Sequence, residues 1–207
     1  HQIFSEQEFG GVSRYYSMLA DNLFKQGQDV KIFAGLHRNI YLGNLPKGVV
    51  KGIEFKKYPL KSGRLFQWLN NMINHVQIKS WQPDIIHETY YSVLPTFKSD
   101  VVRITSVYDM IHELFSDQFS PLDITMHSKK KTIERADHII SISHSTKNDL
   151  IKLFGVKEDK ISVVHLGIDL EVFKQPKVKS QFAEQSYILY VGSRSGYKNF
   201  YGMLKAC

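Results

Sequence analysis

The segment His138-Ile-Ile-Ser-Ile-Ser143-His-Ser-Thr-Lys-Asn-Asp-Leu-Ile-Lys-Leu-Phe154-Gly155-Val-Lys-Glu-Asp-Lys-Ile161-Ser-Val-Val-His165 holds a short apolar run, a stretch of helical period and a second short apolar run. The first run, His138 to Ser143, and the last, Ile161 to His165, are too short for helices and rich in β-branched residues, so each reads as a strand. Between them, Thr146 to Phe154 reads as a helix, with Ser145 as its N-cap and Gly155 as its stop. The same alternation runs along the chain. Further strands are expected at Val30 to Ala34, Gly52 to Tyr58, Asp84 to His87, Val101 to Val107 and Tyr187 to Val191, and further helices at Val12 to Gln26, Arg64 to Ser80, Pro121 to Ala136 and from Asn199 onward. Consecutive apolar positions suit strands buried on both faces, and the whole pattern predicts an α/β fold, a parallel sheet covered by helices.

Composition agrees with a globular chain. Of 207 residues, 43% are hydrophobic and 23% charged, which removes disordered and fibrous classes. No apolar run approaches the roughly 18 residues that cross a bilayer. The opening His1-Gln-Ile-Phe-Ser5 lacks a basic stretch followed by an apolar one, so no signal peptide is expected. A lone Cys207 fits a reducing, cytoplasmic setting. The net charge of +7 favours an anionic partner. Its only run, Lys129-Lys130-Lys131, reads as the solvated face of a helix, and no basic strip interleaved with aromatics accompanies it, so nucleic acid is not the expected partner.

Polar, Pro-containing residues 174–186 read as a linker between a first domain, 1–173, and the start of a second at 187–207. A βα unit of this type opens on a strand. The residues before Gly10 leave no room for one, so an upstream strand is expected.

In open α/β sheets the ligand crevice lies beyond the carboxyl ends of the strands. There the sequence puts His87-Glu88, then Tyr108-Asp109-Met-Ile-His112-Glu113, then Ser143, then His165. Taken singly, each is more simply a side chain hydrogen-bonded where its strand ends; together they mark a site. Gly10-Gly11 opens the first helix, where backbone amides and the helix dipole attract an anion, although a glycine pair alone is more often a turn. In Val191-Gly-Ser-Arg194-Ser-Gly-Tyr-Lys198-Asn-Phe200 a glycine turn carries two cations beside a helix start, which suits a diphosphate. The dinucleotide and P-loop patterns are absent, and neither His87-Glu88 nor His112-Glu113 completes a zinc-hydrolase motif.

Six stretches together carry a resemblance: His1-Gln-Ile-Phe-Ser5 followed by Gly10-Gly11-Val-Ser-Arg-Tyr15; Pro83-Asp-Ile-Ile-His87; Val107-Tyr-Asp-Met-Ile-His112-Glu113; Ala136-Asp-His-Ile-Ile-Ser-Ile-Ser143; Val164-His-Leu-Gly-Ile-Asp169; and the segment Tyr190 to Phe200. In this order the chain resembles retaining glycosyltransferases of the GT-B fold, family 4, in particular the mannosyl- and glucosyltransferase-like members of bacterial polysaccharide assembly. The resemblance implies two Rossmann-like domains facing a cleft. It implies an acceptor, a saccharide or lipid-linked saccharide, bound mainly by the first domain, and a sugar nucleotide bound mainly by the second. It places Gly10 and Gly11 against the donor phosphates and assigns neutralisation of the departing diphosphate to Arg194 and Lys198, with no metal or other cofactor. Many members carry His-Asp where this chain has Tyr108-Asp109, so Tyr108, Asp109 and His112, the nearest histidine, are its catalytic candidates. His87, Glu88, Ser143 and His165 are the acceptor-side candidates from the strand ends. The family's paired glutamates belong to the second domain, past Cys207. GDP-mannose and UDP-glucose both remain open as donors.

Two alternatives stay open at this level. One is a non-catalytic sugar-nucleotide or glycan-binding module of the same fold. The other concerns residues 56–81, whose aromatic and basic side chains either face a lipid-linked acceptor at the inner face of the cell membrane or pack Leu65, Trp68, Leu69 and Met72 into the core.

Overall fold

The computed structural model describes residues 2–55, 59, 62–95, 100–168, 186–194 and 196–207. Its elements in chain order are α1 (Gln2–Glu6), α2 (Gly11–Lys25), β1 (Ile32–His37), β2 (Val50–Glu54), α3 (Gly63–Trp81), β3 (Ile85–Glu88), β4 (Val102–Val107), α4 (Ile111–Leu114), α5 (Thr125–Arg135), β5 (His138–Ser141), α6 (His144–Phe154), β6 (Ile161–Val163) and α7 (Phe200–Ala206). All strand pairs are parallel. They form a two-stranded sheet, β1-β2, and a four-stranded sheet in the order β3-β4-β5-β6. Parallel neighbours need crossovers, and α5 and α6 supply two of them. The α/β class with helix-flanked parallel sheets is therefore as the sequence indicates.

One apolar cluster joins Ile3 and Phe4 of α1 and Tyr16 and Ala20 of α2 to Ile32 and Ala34 of β1. The other joins Val107, Ile133, Ile139, Leu150 and Ile161. Val107 and Ile139 are wholly buried, as expected of central parallel strands. Strand β2 differs: Ile53 is 67% exposed, because a strand in a two-stranded sheet has an uncovered face.

Helix α1 was not anticipated. It forms because Ile3 and Phe4, 1% and 0% exposed, bury one face against β1. Helix α5 begins at Thr125 rather than Pro121, since the Asp123 carboxylate accepts the Thr125 amide at 2.8 Å and holds the preceding residues in a turn. At α6 the cap is Ser143 and not Ser145. Strand β5 ends two residues early, and the Ser143 hydroxyl accepts the Thr146 amide at 3.1 Å. Gly155, at φ 64°, stops α6 as expected, its amide bonded to Ile151 O at 3.0 Å.

The expected strand at Tyr187 to Val191 is not one. Leu189 and Val191 are 74% and 84% exposed, and no described strand lies beside them to form a ladder. The expected linker, apart from Ser186, lies outside the described residues, as do the end of the expected strand at 52–58, Asp169 and Ser195.

Helix α3 sits on β1 by an unusual device. Asn70, wholly buried, accepts the Leu36 amide at 2.6 Å and donates to Leu36 O at 2.9 Å and to the Ser5 hydroxyl at 2.8 Å, standing in for a neighbouring strand. Gly35, at φ 56°, permits this approach: a Cβ there would lie 2.3 Å from the Asn70 amide oxygen. Of the two alternatives for the apolar residues of α3, packing into the core does not hold for most of them. Leu65, Trp68 and Met72 are exposed, because the polar Asn70 and Asn74 take the buried face.

Candidate functional site

The carboxyl ends of β3 to β6 share one edge of the four-stranded sheet because the strands are parallel. Helix α2 packs its second turn against that edge. Tyr16 meets the His87 ring edge-on at 5.0 Å and donates to Glu88 O at 3.1 Å, while Tyr15 meets Tyr108 edge-on at 5.9 Å. Gly11 lies one turn before Tyr15 on the same helix face, so the glycine junction is brought beside the loop that follows β4. Gly10 caps α2 with extended backbone, and its carbonyl accepts the Arg14 amide. Around Gly11 nothing lies within 4 Å of an added Cβ, so the helix opens there on free space.

His87 and Glu88 are turned inward. The His87 imidazole is 3.0 Å from the Ser106 hydroxyl, and burial pulls its pKa down to about 4, which keeps it neutral. Glu88, 5% exposed, holds Arg135 through both oxygens at 2.7 to 3.2 Å and faces Arg103 at 3.4 Å. This buried acid fixes α5 to β3 and β4. Burial also raises the phenols of Tyr16 and Tyr108, so both stay protonated hydrogen-bond donors.

The loop after β4 carries Tyr108, Asp109 and His112 together. Asp109 accepts the Ile111 amide at 3.1 Å, which turns the chain into α4, and its side chain is 47% exposed. His112 stacks on Phe119 at a centroid distance of 4.1 Å, with its Nε2 3.6 Å from the Asp123 carboxylate. These side chains border a hollow of about 370 Å³ completed by Ser116, Asp117, Ser120, Pro121 and Met126. Ser143 is spent on capping α6. His165 is exposed beyond β6, its Nδ1 3.1 Å from Ile142 O and its ring 6.0 Å from that of His144.

Beneath the loop lies a residue that sequence reading placed in solvent. Lys129 is 1% exposed, its ammonium donating to Glu113 at 2.7 Å and to Asp109 O at 2.9 Å and lying 5.4 Å above the Tyr91 ring. Lys130 and Lys131 are the solvated ones. The signal was present: Lys129 shares a helix face with Ile133 and Ala136, both buried.

Arg194 and Lys198 are exposed on the turn before α7. The guanidinium lies 5.1 Å over Phe200 and the ammonium 5.0 Å over Tyr197. Tyr197 in turn meets Phe115 at 6.0 Å and Phe119 at 6.2 Å. A chain of rings therefore connects the cationic turn to His112. The structure thus carries Tyr108, Asp109 and His112 on one segment at the β4 end, sets the Arg194–Lys198 turn against it through Tyr197, connects Gly11 to it only through Tyr15 on the same helix, keeps His87 and Glu88 inside the protein, and leaves Ser143 and His165 at the β5 and β6 ends.

Comparison with known proteins adds a second line of information. Residues 9–172 match the family described as Glycosyltransferase Family 4. The chain is 24% identical over 130 residues to the O-antigen chain mannosyltransferase RfbU of Salmonella typhimurium strain LT2, covering 63% of this chain and 34% of that protein. It is 22% identical over 190 residues to the D-inositol 3-phosphate glycosyltransferase of Xylanimonas cellulosilytica strain DSM 15894, covering 81% of this chain and 44% of that one. The chain spans less than half the length of both curated relatives.

Proposed function

The chain belongs to glycosyltransferase family 4, and from that membership we propose that its protein is a retaining hexosyltransferase that moves a sugar from a nucleotide donor to a saccharide or lipid-linked saccharide acceptor in cell-surface polysaccharide synthesis. The observation that supports this reading is the ring contact from Tyr197 through Phe119 to His112, which sets the turn carrying Arg194 and Lys198 against the segment that follows β4. A sugar nucleotide needs that combination: charge for a departing diphosphate, and polar groups at the sugar. The mannosyltransferase name of one relative favours GDP-mannose as donor, with UDP-glucose as the second choice.

In this reading the diphosphate lies between the first amides of α2 at Gly10 and Gly11 and the side chains of Arg194 and Lys198. A guanidinium stacked over Phe200 keeps its in-plane N–H donors available for two parallel bonds to phosphate, while Lys198 acts as a point charge. Charge fixed in advance stabilises the leaving group more than the intact donor, and so lowers the barrier. His112, oriented by Asp123 and Phe119, faces the sugar with Asp109, while the buried Tyr108 hydroxyl lies behind them. The acceptor oxygen bonds to the anomeric carbon on the face the nucleotide leaves as the bond to the diphosphate breaks, and the hydroxyl proton passes to the departing phosphate oxygen. His165 is the acceptor-side group in solvent, with Ser143 holding the α6 N-terminus and His87 and Glu88 supporting from below.

The test is calorimetry on the full-length protein with a nucleoside diphosphate and with the bare nucleoside. Arg194→Ala and Lys198→Ala are each expected to weaken diphosphate binding by about 1.5 to 3 kcal/mol, the scale of a charged hydrogen bond, and to leave the nucleoside unaffected. Gly11→Val is expected to block phosphate approach with no steric cost to the fold. Equal losses for both ligands, or none for either, would remove the phosphate site from this turn.

A further inference from the structure

Past the carboxyl end of β1 the surface dips into a hollow of about 210 Å³, walled by Gln2, Ser5 and Glu6 of α1, Arg38 after β1, and Phe66 and Gln67 in the first turns of α3. Its walls are tied together by the protein itself. Asn70 joins α3 to Leu36 and to the Ser5 hydroxyl, the Arg38 guanidinium donates to Glu6 O, and the Phe66 ring leans on Phe55 at a centroid distance of 5.3 Å. A cavity held open in this way costs a ligand little reorganisation. Its chemistry selects the ligand. One carboxylate and one guanidinium balance in charge, two carboxamides and a hydroxyl both donate and accept, and one aromatic ring supplies an apolar plane. An anion would meet Glu6, a cation would meet Arg38, and an apolar molecule would strand both carboxamides. A neutral ring with hydroxyls around its rim and C–H groups on its face satisfies the whole set: the hydroxyls donate to Glu6 and accept from Arg38 and the carboxamides, and the C–H face lies against the Phe66 ring. A sugar is that ligand. The volume is below the roughly 300 Å³ at which pockets take drug-sized molecules, so the hollow holds one ring and not a sugar nucleotide.

Tyr90 joins this hollow to the loop of Asp109 and His112. It follows β3 and packs against the apolar cluster that contains Ile3 and Phe4 of α1, the helix that carries Gln2, Ser5 and Glu6. Burial raises the Tyr90 phenol pKa, and the carboxylates of Glu6 at the hollow and of Asp109 and Asp123 beyond β4 raise it further, so the phenol lies within reach of both places and stays a protonated donor. A chain of sugars can therefore run from the β4 loop past Tyr90 to the hollow with polar groups along its length. We propose that the hollow binds a sugar unit of the acceptor remote from the reacting hydroxyl, so that the enzyme prefers an oligosaccharide acceptor to a single sugar. This rests on the acceptor half of the reaction proposed above.

The test is binding of the full-length protein to an array of immobilised neutral mono- to tetrasaccharides, followed by transfer kinetics on the sequences it binds. Members of two or more units are expected to bind, and single sugars not at the same protein concentration. Gln67→Ala and Glu6→Gln change exposed side chains and are each expected to weaken that binding by about tenfold, the scale of one or two hydrogen bonds, with Tm unchanged. In transfer to a bound oligosaccharide their effect is expected on KM, raised by about tenfold, rather than on kcat, because the contact is made equally before and during reaction. Binding of single sugars as strong as that of longer ones would overturn the inference, as would an array with no bound member, or binding and KM that survive both substitutions. A protein that transfers to single sugars as well as to longer ones would keep the proposed reaction and remove the subsite. One that binds oligosaccharides in a manner sensitive to Gln67 and Glu6, yet never transfers, would keep the hollow as a saccharide site and remove the reaction.

Discussion

Lys129→Met tests how the loop of Tyr108, Asp109 and His112 is held. Methionine keeps the length and apolar stem of lysine, so no large cavity opens, and the change isolates the ammonium. In the native protein that ammonium is 2.7 Å from a Glu113 carboxylate whose side chain is 4% exposed, and 2.9 Å from Asp109 O. Removing it leaves a buried carboxylate and a carbonyl without their donor. Breaking a buried ion pair from one side costs about 3 to 5 kcal/mol, a large share of the ~5 to 15 kcal/mol that stabilises a domain. Adding Glu113→Gln removes the stranded charge, so the double variant is expected to recover about 2 to 3 kcal/mol relative to the sum of the single losses. Urea unfolding followed by circular dichroism on the four proteins of the cycle measures this coupling. Lys129→Arg is expected to restore part of the stability and, where the loop recovers its place, part of kcat. A loss below about 1 kcal/mol for Lys129→Met, or single losses that simply add, would refute the claim that this pair anchors the loop.

Two further outcomes follow from the site. His87 has a folded pKa of about 4, below its usual 6.5, so between those values the unfolded chain binds more protons and stability falls as the medium is acidified. Relative to a His87→Asn variant, the unaltered protein is expected to lose roughly 3 kcal/mol more between pH 7 and pH 4 in denaturant titrations, the extra loss levelling off about one pH unit lower. His112→Ala is expected to lower kcat by about ten- to a thousandfold with Tm shifted little, measured by steady-state transfer and thermal melts; an unchanged kcat would move the role to Tyr108 or Asp109.

The parallel strands from β3 to β6 were legible because their apolar runs are bounded by clear stops, Gly155 among them. The strand-end residues were legible for the same reason, since topology fixes where the carboxyl ends lie. What sequence reading missed depends on orientation. It placed Lys129 in water because a run of three lysines averages over faces that a helix separates. It could not decide whether Leu65, Trp68 and Met72 point inward, because the answer rests on Asn70 meeting Leu36 across 34 residues. Glu88 was named for an acceptor, yet its oxygens are taken by Arg103 and Arg135, partners that no local pattern reveals. The end residues 187–191 have the composition of a strand, but a strand is a relation between two segments.

The most direct measurement is transfer itself: full-length protein incubated with GDP-mannose or UDP-glucose and a saccharide acceptor, with and without EDTA, the product followed by NMR at its anomeric carbon. The account predicts that one of these α-linked donors releases its nucleoside diphosphate in step with a new glycoside of the same α configuration, at a rate EDTA does not change. A β-linked product, or a protein that binds the sugar nucleotide and never releases its diphosphate, would contradict it.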